Sequence, residues 1–555
     1  MRMPLIQWFK SNMSEGRIFT YQTRISLKPG QSEILDAYAG LYGRAERSLF
    51  AAIQAGGAIN DLKRAFQPRF GISARQFNAM RVGLDGKIDS IKKRRPEMIA
   101  EMQTRIQKAA KVIAKLENKT PGTNKVHQKK RRHANLHGRL TKLKTDHQDG
   151  VVRLCFGGKK LFNAQFNLAA NGYASHQEWK AEWMRARSSQ FFVLGSQDET
   201  AGNQSCQAVM TPEGEMNLQV RLPNALSDEH GKHTVLTGLR FAYGHTTIDA
   251  ALRSSQRVRS QTRDGKVTVK RVGTAVSYRF VRDDKGWRVF VSVEAKPVKQ
   301  VTSKLLGAIG VDVNANHLAV VETDRFGNIS DIGRIALVTY GKTTDQAKAL
   351  IGDAAAKIVL QAKAAGKPIV VEDLNFQKKK AELENVSAKQ ARLLSSFFCN
   401  QVLSAIASAA FRAGVEVITV NPAYTSVIGA INFAQEKGIS VHQGAAFAIA
   451  RRGLRLSERP TVREALAPAR NGGHVTFVLP VRNRTKHVWS FWSKARTSLK
   501  AAHVAQFRCG GPKGAPPPLS PARLRVRPIW NVTVQFRSAN RSQHCSESVC
   551  QDIPY

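Results

Sequence analysis

The sequence lacks long apolar runs, closely spaced cysteine pairs and a balance of acidic against basic residues. No run of about 18 or more apolar residues occurs, so no membrane-spanning helix is predicted. The N-terminal residues contain no uninterrupted apolar segment, which argues against a secretory signal. The six cysteines are scattered without a C-x-x-C pair, which argues against a disulfide framework and a zinc ribbon. We therefore expect a protein of the reducing cytoplasm.

A loose cluster of possible metal ligands lies near the C-terminus. His544, Cys545 and Cys550 lie within a few residues of one another. Metal binding by these three residues is the less favoured interpretation, because their spacing does not match a paired-ligand site.

The shortage of acidic residues is the most informative feature of the composition. Against 86 Lys and Arg there are only 41 Asp and Glu, which gives a net charge of +45. A field of this size attracts polyanions, and nucleic acid is favoured over an anionic membrane because no apolar segment accompanies it. With 555 residues the chain is expected to form about two to four domains.

The patterning along the chain divides it into regions of different character. Residues 18–27 alternate as a strand, and the following region repeats apolar residues at helical spacing. The next region contains short alternating segments separated by turns, which favours an antiparallel barrel or sandwich that the early strand completes. The expected regions are a first strand in 1–30, a helical domain in 31–150, a β-rich domain in 151–304, an α/β domain in 305–453 and a basic tail in 454–555.

A basic run ends the helical region. Between Lys119 and Lys144 there are nine Lys and Arg and no acidic residue. A solvated helix face or a flexible linker would also have this composition, but phosphate contact is favoured in so basic a chain. The candidate nucleic-acid contacts in this run are Lys129, Lys130, Arg131, Arg132 and Arg139.

The α/β region carries the chemistry. Its pattern predicts three strands, a helix, a strand, a helix, a strand and a last helix, which is the element order of the RNase H-like fold. Asp312 lies inside the apolar strand AIGVDV, and Glu372 ends the apolar strand IVVE. Each acid alone is consistent with a solvated strand end or a helix cap. Together they favour a site of the two-metal type, in which carboxylates hold Mg²⁺ or Mn²⁺ for phosphodiester hydrolysis.

Three segments carry a resemblance to a known family. GVDVNANHLAVVETDRFGNI resembles the first RuvC motif, IVVEDLNF resembles the second, and NPAYTS before the last helix resembles the approach to the third. Their order is that of TnpB, the RNA-guided nuclease of insertion sequences, and of the compact type V CRISPR effectors. The resemblance covers most of residues 18–453.

This resemblance implies a bilobed protein with mixed α/β, β and α domains. A β-barrel wedge domain split around a helical recognition domain would join a RuvC nuclease domain. The implied partners are a guide RNA and a double-stranded DNA target, without a membrane. The implied location is the cytoplasm of a bacterium, in association with the nucleoid. A transposon and a CRISPR locus are both consistent with the residues.

The sequence departs from the family pattern at two places. Residues 427–441 contain no cysteine, so the zinc ribbon of the family is not expected here. The last helix has His442 where the family carries an aspartate. A histidine ligand, which favours Mn²⁺, is one interpretation of His442. Loss of cleavage, leaving an RNA-guided DNA binder, is the other, and activity is favoured because Asp312 and Glu372 are present.

Two further functions remain open. A transposase with an RNase H-like fold would act without a guide, and a general RNA-binding or structural protein would need neither carboxylate.

The end of the last helix and the tail supply further candidate contacts with nucleic acid. Arg451 and Arg452 end the helix, and Trp489 and Trp492 lie among basic residues that favour base stacking. An aromatic anchor packed on the nuclease domain is an equally favoured interpretation of the two tryptophans. The Gly/Pro-rich segment GGPKGAPPPLSP predicts a linker or a disordered segment.

Overall fold

The first elements are one strand and a set of helices. The computed structural model describes residues 17–261, 267–296, 298–373, 396–460, 463–468 and 473–509. The predicted strand and the predicted helical region are both observed, and Ser73 begins the longest helix with a capping box to Gln76. These elements are β1 (Arg17–Arg24), α1 (Gln31–Gln54), α2 (Ile59–Phe70), α3 (Ala74–Lys119), α4 (Asn124–Gln148), α5 (Lys159–Ala164) and α6 (His176–Arg187).

The β-rich region forms small antiparallel sheets. One sheet has the strand order β1-β9-β8-β2, so the early strand joins it by pairing with β9 as expected. The others have the orders β3-β4-β5 and β6-β7. The elements are β2 (Gln190–Val193), β3 (Cys206–Met210), β4 (Met216–Arg221), α7 (Ser227–His230), β5 (His233–Leu239), α8 (His245–Arg253), β6 (Gln256–Gln261), β7 (Val267–Val272), β8 (Val276–Asp283) and β9 (Gly286–Ala295).

The predicted β-barrel is not what the described residues form, because none of these sheets closes on itself. Helix α1 packs against the four-stranded sheet instead, and the ring of Tyr38 stacks on that of Phe191 at 4.1 Å. Residues 151–156 begin the predicted β-rich region but do not form a strand. That segment is irregular, and the Arg95 guanidinium donates to the carbonyl of Val151 at 2.5 Å, a bond that replaces a strand partner.

The third region is a five-stranded sheet with the order β12-β11-β10-β13-β14. β10, β11 and β12 are antiparallel neighbours, whereas β10, β13 and β14 are parallel. The predicted succession of strands and helices is confirmed for the described residues. The elements are β10 (Ala308–Val313), β11 (His317–Thr323), β12 (Ile329–Ala336), α9 (Thr344–Ala365), β13 (Ile369–Glu372), α10 (Ser396–Ala413), β14 (Val417–Val420), α11 (Thr425–Ile428), a π-helical turn (Gly429–Phe433) and α12 (Val441–Gly453).

Both faces of this sheet are covered. On one face, the apolar residues of β10 and β13 pack against α9 and α10. On the other face, α12 crosses β10 so closely that a Cβ added to Gly310 would lie 2.0 Å from the carbonyl oxygen of Ala446. The small side chains of α12, among them those of Ala446 and Ala450, are therefore what permits the contact.

The first part of the tail contains regular structure. It contains β15 (Glu464–Pro468), β16 (His474–Val478) and α13 (Val488–Cys509). Phe491, Trp492 and Ala495 lie on one face of α13 and are buried with α12, because their spacing of three to four residues aligns them on the helix. The residues up to His503 belong to one compact unit. The Gly/Pro-rich segment and the cluster of His544, Cys545 and Cys550 lie outside the described residues.

Candidate active site at the ends of two parallel strands

Asp312 lies near the end of β10 on the face that α12 covers. Side chains alternate along a strand, so Asp312 shares this face with Gly310, which contacts α12. Asp312 is 8% exposed, and Asn314 donates to its Oδ2 at 3.0 Å. A buried carboxylate is costly without such partners, so this side chain is held by polar contacts at the edge of an apolar sheet.

Glu372 ends the neighbouring parallel strand. Val311 of β10 is level with Val371 of β13, so Asp312 and Glu372 occupy the next position on adjacent strands and the same face of the sheet. The hydroxyl of Thr425 donates to Glu372 Oε1 at 2.5 Å. The two predicted carboxylates therefore come from neighbouring strands at the same edge of the sheet.

Asp373 follows Glu372 in a different environment. Its backbone N–H donates to the carbonyl of Val420 at 2.7 Å, which continues the pairing with β14. Burial raises the pKa of the Asp373 carboxyl above its ordinary value. Alternation along the chain directs this side chain away from the face shared by Asp312 and Glu372.

His442 lies in the first turn of α12. Ser440 caps the helix and accepts from the backbone N–H of Gln443, whose side chain accepts from the Ser440 N–H in return. His442 Nδ1 is 3.3 Å from Asp312 Oδ2, and its side chain is half exposed. When Nδ1–H donates to the carboxylate in the neutral ring, Nε2 carries no proton. Its lone pair can then accept a hydrogen bond or bind a metal ion.

A second histidine belongs to the site and was missed in the sequence. His317 begins β11, and its ring meets that of His442 edge to face at 5.0 Å between centroids. Burial lowers the pKa of His317, Arg334 and His442 lower it further, and the Asp312 carboxylate opposes the shift. The sequence signal that could have identified His317 is the short turn between β10 and β11. In the resulting hairpin, β11 begins beside the end of β10, where Asp312 lies.

The donor types at this edge fit a divalent cation, because carboxylate oxygens and an imidazole nitrogen are ligands of Mg²⁺ or Mn²⁺. Their arrangement is pairwise: Asp312 contacts His442, whereas Glu372 contacts Thr425. Within the described parts of the chain, no three His, Cys, Asp or Glu side chains converge closely enough to hold a metal ion.

The two arginines predicted to bind nucleic acid are engaged within the protein. Arg451 pairs with Glu458 at 2.5 Å and donates to the carbonyl of Gly327 at 2.6 Å. Arg452 donates to the carbonyls of Asn421 and Ala423, the latter at 3.0 Å. Both side chains therefore brace α12 against neighbouring loops.

Burial lowers the pKa of Arg452, and the carboxylates of Glu372 and Glu458 oppose that shift. The charge of Arg452 therefore interacts with the Glu372 carboxylate.

The two predicted tryptophans differ in exposure. Trp492 is 1% exposed, and its indole N–H donates to the carbonyl of Glu458 at 3.2 Å. Base stacking by Trp492 is contradicted by this burial, and the alternative of an aromatic anchor is what is observed. Trp489 is 38% exposed, and its ring meets that of Tyr424 at 6.4 Å, one residue before Thr425.

The basic run of the helical region lies on α4. Its side chains are exposed except for that of Lys129, which is half-buried, and Lys130 pairs with Glu117 at 2.7 Å. The helix packs beside α3, and only Val126 and Leu140 of α4 are buried. The charged face is available to a polyanion, with Arg131, Arg132 and Arg139 on it.

Comparisons with known proteins give matches among solved structures but none by sequence. No family model and no curated protein matches it. Among solved structures it is similar to a CRISPR-Cas12f ternary complex, with 10% identity and a TM-score of 0.18, over 78% of this chain and 98% of that one. A likeness at that score does not establish a shared fold. No described helix has the length and apolar character needed to cross a membrane.

Proposed function

We propose that this protein is an RNA-guided DNA endonuclease of the TnpB type, in which an RNase H-like domain of the RuvC kind hydrolyses phosphodiester bonds of target DNA. The observation that carries the proposal is the placement of Asp312 and Glu372 at level positions on adjacent parallel strands, beneath a helix that brings His442 to 3.3 Å from Asp312. The sheet also supports the proposal. Its order β12-β11-β10-β13-β14 is formed by three successive strands and two further strands that each follow a helix, which is the element order of the RNase H-like fold.

Each side chain at the edge has a role in this proposal. Asp312 and Glu372 would hold Mg²⁺ or Mn²⁺, which supplies charge neutralisation at phosphate and a lowered pKa of bound water. His442 would supply a third ligand when the ion draws the three side chains together, and Asn314 and Thr425 would hold the two carboxylates in orientation through the hydrogen bonds described above. The half-exposed imidazole of His442 faces the solvent side, from which a DNA strand would approach.

The proposed partners are a guide RNA and a double-stranded DNA target. The charge of +45 and the exposed basic face of α4 support binding of a nucleic-acid duplex through its phosphates. In such a protein, base pairing with the guide reads the sequence while the protein recognises the backbone.

The test is cleavage by the full-length protein purified with its co-expressed RNA. We expect cleavage of DNA that pairs with the bound RNA, faster in Mn²⁺ than in Mg²⁺ because of the imidazole donor. Asp312→Ala, Glu372→Ala and His442→Ala should each abolish it. Asp345→Asn, which changes a fully exposed carboxylate on α9, should leave cleavage unchanged.

The alternatives give different results in the same experiment. Opening of target DNA without cleavage in either metal would identify a nuclease-dead RNA-guided binder. Cleavage or strand transfer at transposon ends without a discrete co-purified RNA would identify a guide-independent transposase. Sequencing of the bound RNA distinguishes these two outcomes directly.

A further inference from the structure

A cavity of about 530 Å³ lies outside the candidate active site. It is formed by α1, α5, α6 and the irregular segment that follows α4. Its size is within the usual range of small-molecule sites, about 300–1,000 Å³. It is lined by Arg47, Arg153, Leu154, Cys155, Phe156, Lys159, Phe162, Asn163, Trp183 and Arg187.

The polar lining is cationic. Four lining residues carry positive charge, and no acidic side chain of the described residues lines the cavity. Arg153 pairs with Asp146 just outside at 3.1 Å, which leaves Arg47, Lys159 and Arg187 facing the cavity without a carboxylate in it. This excess of positive charge fits an anion.

Two of these cations are held close together. Arg47 donates to the backbone carbonyl of Arg187 at 3.1 Å. The Nε of Arg187 is buried and has no hydrogen-bond partner among the described residues. Burial lowers the pKa of Arg47, and the neighbouring Arg187 lowers it further. An anion bound here would relieve the repulsion between the two guanidinium groups.

The remaining walls are aromatic. Phe162 is 40% exposed, and its ring lies 5.5 Å from that of Trp183. Arg187 lies over the Trp183 ring at 5.5 Å. Gly157 permits this arrangement, because a Cβ there would lie 3.0 Å from both Trp183 and Arg187 and the residue has a φ of +87°. A flat aromatic ligand could therefore stack beside the cationic group.

We infer that this cavity binds one unpaired nucleotide of a single-stranded nucleic acid, with the base against Trp183 and Phe162 and the phosphate on Arg47 and Arg187. Stacking on aromatic side chains next to a basic groove is how proteins bind single strands without sequence preference. The inference goes beyond the proposed nuclease function, since none of these residues belongs to the sheet that carries Asp312.

Cys155 provides a native probe of the cavity. Its thiol is exposed and lines the cavity, whereas Cys399 lies on α10 and serves as a control within the same molecule. The experiment measures N-ethylmaleimide alkylation of the full-length Asp312→Ala protein, peptide by peptide, with and without an unstructured oligonucleotide of uridine or of thymidine. We expect at least severalfold slower alkylation of Cys155 with oligonucleotide and no change at Cys399.

Substitutions at two positions of the cavity separate binding from folding. Trp183→Ala should weaken oligonucleotide affinity about five- to a hundredfold, the range for loss of one stacked base, and Trp183→Phe should restore most of it. Arg187→Ala should lower the slope of log affinity against log salt by about 0.7, as expected for one lost phosphate contact with a single strand. Tyr243→Ala, which removes a 72% exposed aromatic ring elsewhere, is the matched control.

The results also distinguish the source of the nucleotide. Protection by the uridine oligomer alone assigns the cavity to RNA, and protection by the thymidine oligomer alone assigns it to displaced DNA. Alkylation of Cys155 that is as fast with each oligomer as without any oligomer, or equal affinity of Trp183→Ala and Trp183→Phe, overturns the inference. Because the protein used in this experiment contains the Asp312→Ala substitution, the outcome does not depend on nuclease activity.

Discussion

Gly310→Ala is expected to displace α12 from the sheet and to separate His442 from Asp312. The added Cβ would lie 2.0 Å from the carbonyl oxygen of Ala446 and 2.7 Å from the backbone nitrogen of Ala450. Both are backbone atoms of α12, so no side-chain rotation relieves the overlap. The backbone of Gly310 does not have a positive φ, so the effect is one of packing alone.

The magnitude follows from the cost of an overpacked core, about 1–3 kcal/mol. To restore an ordinary contact the helix must move by roughly 1 Å or more, which would carry the 3.3 Å contact between His442 and Asp312 beyond hydrogen-bonding distance. We therefore expect α12 to open about five- to a hundredfold more often, and cleavage to fall with it.

Hydrogen exchange of peptides covering residues 441–453 measures this opening. The matched control is Gly352→Ala on α9, where an added Cβ meets nothing within 4 Å. That change should stabilise the helix by about 0.5–1 kcal/mol, because alanine has the higher helix propensity. Unchanged exchange of α12 in Gly310→Ala would refute the close packing on which the geometry of the site depends.

Three other predictions concern the tryptophans of α13, the titration of His317 and the basic face of α4. Trp492→Ala should lower the free energy of unfolding by about 3–5 kcal/mol, as for other buried aromatic residues, whereas Trp489→Ala should change it little; urea denaturation compares them. Burial holds the pKa of His317 below its ordinary 6.5, so the unfolded state takes up a proton first as the pH falls below 6.5 and the folded state loses stability there. Melting temperatures at pH 7.5 and 5.5 should therefore differ more for the wild type than for His317→Gln, and equal differences would contradict the buried environment. Arg131→Ala and Arg132→Ala should each weaken binding of duplex DNA and lower its salt slope by about 0.9, while a slope equal to that of the wild type would exclude phosphate contact by that side chain.

The catalytic candidates on the sheet could be predicted because burial constrains the residues of an apolar strand. A carboxylate such as Asp312 inside AIGVDV has no structural reason to be there without polar partners, and the same argument applies to the end of IVVE. The periodicity of the surrounding elements predicts that both acids lie on strands, and the parallel pairing of β10 with β13 makes those strands neighbours. His442 could be placed at a helix start because Ser440 and Gln443 have the spacing of a capping box.

The aromatic and basic residues of the tail were less predictable. Trp489 and Trp492 are three residues apart on one helix, yet one is half-exposed and the other is buried. Arg451 and Arg452 could each pair with many acceptors along the chain. Only the fold brings Glu458 and the backbone carbonyls to them. Composition measures how many such residues a chain has, whereas exposure depends on which other elements cover them.

The amino-acid sequence was sufficient to establish the large positive charge, the order of strands and helices in residues 305–453, and the presence of a carboxylate at or near the end of each of two strands. These are local properties, since charge counts residues and periodicity reflects a single element. Three other features depend on the tertiary fold: His317 lies beside His442, the sheets of residues 190–295 stay open, and residues from three helices and a loop line a cationic, aromatic cavity. These features arise from contacts between residues far apart in the chain, where packing of backbone against backbone determines which side chains meet.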